Sequence, residues 1–128
     1  MRKELDEALC KDFPTVFKNR HGDILETCMA WGFECGDGWE PIIREAAAKI
    51  EAINKTLPEN QHCVASQIKE KYGTLRFYLN SGTDEAYDAT DEAERKSESI
   101  CESCGSPGIC RGRGWYYTAC DACEALRK

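Results

Sequence analysis

A chain of 128 residues with 41% hydrophobic content has apolar material for one compact domain and too little for two ordinary ones. Its longest apolar runs are a few residues, as at Ala46-Ala47-Ala48, which excludes a membrane span, and the charged start MRKELDEALC predicts no secretory leader. With 17 basic against 23 acidic residues the chain carries −6, which disfavours bulk coating of nucleic acid.

The charge is uneven. Residues 83–104 hold 8 acidic and 2 basic side chains, whereas residues 105–128 hold 4 basic and 2 acidic ones. An acidic element therefore precedes a locally cationic tail.

In chain order, Leu5, Ala8, Leu9 and Phe13 recur at helical spacing, which predicts a helix over 3–12 that Pro14 stops. A second helix is expected over 22–33, ending near Gly32. The clearest is 39–55, where Trp39, Ile42, Ile43, Ala46, Ala47, Ile50 and Ile53 form one apolar stripe. Asp37 is its expected cap, with Glu40 completing a capping box and Pro41 tolerated in the first turn. Residues 62–80 switch to a period of two, with Val64 and Ile68 on one face, then Leu75, Phe77 and Leu79 on one face. Tyr72-Gly73 between them predicts a hairpin turn. Thr83 is expected to cap an acidic helix reaching about Ile100, with only Ala86, Ala89, Ala93 and Ile100 as an apolar seam.

Nine cysteines in a chain with no export signal point to metal rather than disulfides. Cys101 and Cys104 form one C-x2-C pair and Cys120 and Cys123 another, with 15 residues between the pairs. Four thiolates so spaced suit one structural, tetrahedral Zn²⁺. The order of a knuckle at Gly105, a Trp-Tyr-Tyr-Thr strand and ligands on a helix start is that of a treble-clef finger. A redox dithiol is the competing reading, and Cys110 is a fifth thiol that could replace a ligand. Cys10, Cys28, Cys35 and Cys63 read as buried thiols, with a second metal site from Cys35, Cys63 and a histidine as the alternative.

The expected fold class is thus α+β. Helices and a β-hairpin make a core over 1–100, and a zinc finger over 101–128 packs on it.

Three stretches combine cations, aromatics or helix-start amides in ways that suit a ligand. Lys69-Glu-Lys71-Tyr72 comes with Arg76 and Tyr78. Arg111-Gly-Arg113-Gly-Trp115-Tyr116-Tyr117 lies inside the finger. Gly36-Asp37-Gly38-Trp39 opens a helix. Arginine beside aromatics can hold a phosphate and stack a base, and helix-start amides can hold an anion. On the acidic helix, Asp88, Asp91 and Glu92 suit a basic protein surface. No phosphate-cradling loop, nucleophile elbow, zinc-protease or deaminase motif is present, so no catalytic residue is expected.

Taken together, Cys35-Gly-Asp-Gly-Trp39, Glu70-Lys-Tyr-Gly-Thr-Leu-Arg-Phe-Tyr78, and Cys101-x2-Cys104-Gly with Arg-Gly-Trp115 and Cys120-Asp-x-Cys123 resemble a family of small proteins encoded by bacteriophages and prophages. Members often end the metal motif with a histidine, where this chain has Cys123. The resemblance implies the cytoplasm of an infected bacterium and no catalytic residue. The expected action is non-enzymatic, stoichiometric antagonism of a host defence protein. Sequestration of a nucleotide signal, or a small nucleic-acid-binding regulator, are the alternatives.

Overall fold

A computed structural model describes residues 1–127; Lys128, the end of the expected finger, lies outside the described residues. The chain folds as α+β. Helix α1 (Lys3–Asp12) is followed by strand β1 (Phe33–Glu34), helix α2 (Glu40–Asn54), strands β2 (Ala65–Lys71) and β3 (Thr74–Leu79), and helix α3 (Asp84–Ser97). Strands β4 (Ile109–Arg111) and β5 (Tyr117–Ala119) then lead into helix α4 (Asp121–Leu126). Short 3-10 turns cover Cys28–Trp31, Asp37–Trp39 and Glu59–Gln61. Among the described residues no helix is long and apolar enough to cross a membrane.

The first sheet has the order β1-β2-β3. Strand β1 runs parallel to β2, pairing Phe33 with Ile68, and β3 runs antiparallel to β2, pairing Ile68 with Phe77 and Lys69 with Arg76. Tyr72 (φ 55°) and Gly73 (φ 84°) both take left-handed conformations, as a two-residue turn matched to strand twist requires. The α2 stripe joins Phe17, Phe33, Ile68, Leu75 and Phe77 in one buried cluster. Phe17 sits at its centre, with ring centroids 5.0 Å from Phe33 and 6.0 Å from Phe77.

Helix α3 starts as expected, with the Thr83 hydroxyl accepting the Ala86 N–H at 3.2 Å. Its alanine seam (Ala86, Ala89, Ala93) is buried, so small side chains let α3 lie close to α2. Ser97, buried on the same helix, accepts the Leu75 N–H and so ties α3 to β3.

Two expectations fail. Residues 22–33 do not form a helix: they make turns, the 3-10 turn and β1. Gly32 takes φ 85°, Leu25 is 90% exposed, and Phe33 is drawn into the sheet beside Ile68. Asp37 does not cap α2 with its side chain either. Its carboxylate accepts the Arg2 N–H at 2.7 Å and pairs with the Arg2 guanidinium, so it ties the N-terminus down. Glu40 pairs with Arg44 instead of closing a capping box.

Two buried polar groups connect the chain ends of the core. Asn54 clamps Cys63 through both backbone atoms, and Glu51 accepts the Thr15 N–H at 2.8 Å. The hairpin face is tested by Phe77→Ala. Removing this buried ring should cost about 3–5 kcal/mol in a denaturant titration, whereas Glu92→Ala, on the surface of α3, should shift the midpoint little. Equal midpoints for Phe77→Ala and the parent would place Phe77 on the wrong face.

Candidate metal centre

Cys101 and Cys104 lie on one turn just after α3, while Cys120 is the N-cap of α4 and Cys123 sits in its first turn. The hairpin β4–β5 between the pairs folds them together, pairing Ile109 with Ala119 and Arg111 with Tyr117. All four sulfurs lie within 4.8 Å of one another, and Cys104 Sγ is 3.6 Å from Cys120 Sγ. The Gly105 N–H closes the first turn onto the Cys101 carbonyl at 2.9 Å, with Gly105 at φ 83°. This cluster suits a metal ion, because soft thiolates converging from two tight turns have no other common partner in the fold.

Protonation at the cluster is uneven. Hydrogen bonds from the Ser106 side chain and backbone hold Cys104 at about 6, so it is a thiolate at neutral pH. Burial opposes ionisation of Cys101, but backbone hydrogen bonds at Cys120, Cys104 and Ser103 outweigh it and bring the thiol below its usual range. Cys123 is pushed up to about 12 by hydrogen bonds shared with Cys120, Cys101 and Cys104. A bound cation would take the place of the Cys123 proton, so metal uptake releases protons from the cluster.

The first cysteine turn is docked on the core. The Gly38 N–H donates to the Glu102 carbonyl at 2.7 Å, and the Gly36 N–H donates to the Glu102 carboxylate at 2.9 Å. The buried Trp39 ring donates its Nε1–H to the Ile100 carbonyl at 2.9 Å. A Cβ on Gly38 would stand 2.1 Å from the Cys101 carbonyl oxygen, and one on Gly36 would stand 2.5 Å from the Glu102 oxygen. Both glycine amides of the Gly-Asp-Gly-Trp stretch are taken up by the chain's own Glu102, Gly36 by its carboxyl group and Gly38 by its backbone carbonyl. The stretch is a docking strip for the cysteine turn and not an open ligand site.

On the opposite side, β5 meets the tip of the core hairpin. Thr118 donates its hydroxyl to the Gly73 carbonyl at 2.6 Å, and a Cβ on Gly73 would stand 3.2 Å from the Tyr117 nitrogen. This contact brings together two stretches that are far apart in sequence. A cleft of about 360 Å³ opens between Lys69–Tyr72 and Gly114–Tyr116.

The remaining site residues divide by what they touch. Arg76 pairs with Glu94 on α3 through one nitrogen, its Nε being buried without a partner, and Arg111 pairs with Asp121 and Glu124, so both guanidiniums already face carboxylates of the chain. Glu92 is held at about 2 by hydrogen bonds to Lys49 and Lys96, in a network that also includes Glu45. It stitches α3 to α2 and is not a free acid. Asp88, Asp91, Arg113, Trp115 and Tyr78 are exposed.

Among the other thiols, Cys35 and Cys63 are buried, and burial pushes Cys35 up to about 12. Cys10 is half-buried and raised to about 11 by burial and by Asp6. Cys28 is exposed, against expectation, because the 3-10 turn it opens turns Met29 inward instead. Cys110 is exposed on β4 and stands outside the cluster. Among the described residues no second group of this kind forms around Cys35 and Cys63. Glu102 and Ser106, which support the centre, carry no sequence signal beyond lying within two residues of a cysteine.

No family model, no curated protein and no solved structure matches this chain.

Gly38→Ala tests the docking strip. A methyl group forced against the Cys101 backbone should cost at least about 1–3 kcal/mol and lower metal retention during dialysis. Glu102→Gln keeps the shape and should be milder in the same two measurements.

Proposed function

We propose that the chain is a non-enzymatic binding protein built around one structural zinc ion, with Cys101, Cys104, Cys120 and Cys123 as treble-clef ligands. The convergence of four sulfurs carries this reading. Zinc–sulfur bonds of about 2.3 Å in a tetrahedron separate the sulfurs by about 3.8 Å, close to the 3.6 Å between Cys104 and Cys120. With four protein sulfurs on the ion no position is left for a substrate, which suits a structural role. The ion would hold β4–β5 in place and so keep the Arg113–Tyr116 loop beside the Tyr72 turn. The cleft there is the surface offered to a partner.

The resemblance to phage proteins suggests the setting, an infected bacterium, and the action, stoichiometric occupation of a host component. One observation favours a basic protein surface as a second target. Asp84, Glu85, Asp88 and Asp91 are exposed on α3 and, among the described residues, form no ion pair, in contrast to Glu92 and Glu94.

Elemental analysis should give about one zinc per chain. Cys104→Ser should lose the metal and unfold the tail, because zinc binding and local folding are coupled, while Cys110→Ser and Cys10→Ser should keep it. Full zinc in Cys104→Ser would overturn the ligand set. For the acidic face, Asp88→Lys with Asp91→Lys should abolish capture of a host protein from infected cells, and added salt should weaken the parent complex. Capture unaffected by both would remove α3 as the surface.

A further inference from the structure

We propose that the cleft between Lys69–Tyr72 and Gly114–Tyr116 binds an unpaired nucleobase together with its phosphate. This rests on the reading of the chain as a non-enzymatic binding module and names the ligand of that surface. Three aromatic rings stand open here: Tyr72 is 67% exposed, Trp115 76% and Tyr116 44%. Exposed rings of this size on ordered turns are costly to keep in water unless something covers them.

The loop carrying Trp115 is tightly built. Gly112 (φ 100°) and Gly114 (φ 78°) take left-handed conformations, and a Cβ on Gly112 would stand 2.0 Å from the Trp115 carbonyl oxygen. The facing Tyr72 turn is fixed by its hydrogen bond from Thr118. The two aromatic walls are therefore set before any ligand arrives, which lowers the entropy cost of binding.

The charge at the cleft is cationic in a chain that is acidic as a whole. Lys71 Nζ lies 5.6 Å from the Tyr72 ring centroid. Lys69 alternates onto the same face of β2 as Lys71, and both line the cleft. Among the described residues these two cations form no ion pair, whereas Arg76 and Arg111 do. The one carboxylate in the lining, Glu70, accepts the Gly73 N–H at 2.8 Å.

The lining contains no Leu, Ile, Val or Met. A pocket for an apolar protein side chain would offer aliphatic walls. Flat rings beside unpaired cations instead fit a planar group that carries negative charge, by stacking and cation–anion contact. The net charge of −6 and the absence of a long basic surface run against duplex DNA. A free nucleotide and a single strand present the same chemistry to this cleft.

The test uses the full, zinc-loaded chain with a labelled oligothymidylate, a nucleoside triphosphate and a duplex of mixed sequence as probes. Anisotropy should show binding of the single strand or the nucleotide and none of the duplex. Tighter binding of the oligomer assigns a single strand, and equal binding assigns a free nucleotide. Trp115→Ala should weaken binding about tenfold or more, the loss expected for one stacked base, with zinc content unchanged, and Trp115→Phe should restore most of it. For the oligomer, Lys69→Gln with Lys71→Gln should lower the salt slope by about 1.4, as two lost phosphate contacts require. No binding of either probe, or binding undiminished in Trp115→Ala, overturns the nucleobase assignment and leaves the binding-module reading in place. Turnover of the nucleotide by the parent overturns the non-enzymatic reading.

Discussion

The contact between the first cysteine turn and the Gly36–Trp39 strip is the constraint on which the rest of the molecule depends. Four hydrogen-bonding groups meet there: the Gly36 and Gly38 amides, the Trp39 indole and the Glu102 carboxylate. All are satisfied within the chain, and most are shielded from water, where an unmatched partner would cost a kilocalorie or more each. The approach is so close that no side chain fits at Gly38. The direction in which the metal-binding tail leaves α3 is thereby set by the start of α2.

A second contact, between Thr118 and Gly73, fixes the other side of the tail. These two contacts tie the β4–β5 hairpin to the core from both sides. An ion held by the cluster would act locally, by tying Cys120 and Cys123 to Cys101 and Cys104, and its effect would reach the cleft through the short path from Ala119 to Tyr116. Folding energy from a bound ion would in this way be coupled to the position of an exposed aromatic surface.

The charged groups follow a similar division of labour. Arg76, Arg111, Glu92 and Glu94 join one element to another, and exposed pairs of this kind contribute modestly to stability while fixing relative position. Among the charges that form no ion pair are the carboxylates on the first half of α3 and the two lysines of the cleft, Lys69 and Lys71.

The sequence by itself determined the α2 stripe, the Tyr72-Gly73 hairpin, the Thr83 cap and the four-cysteine cluster. Each of these is governed by neighbours within a few residues, through helical or strand periodicity, a left-handed turn or the two-residue gap between thiols. Only the tertiary structure decided the remainder. Residues 22–33 became turns and a strand because Phe33 finds a place beside Ile68, 35 positions away. Asp37 left the helix start because Arg2 reaches it. Whether Arg76, Arg111 and Glu92 were free to bind could not be read from their spacing, because their partners Glu94, Asp121, Lys49 and Lys96 are matched by packing. The cleft, too, was invisible as a unit, since its two walls lie more than 40 residues apart and meet only because Thr118 bonds to the hairpin tip. Local pattern sets which elements form, and long-range packing sets which side chains remain unpaired and exposed.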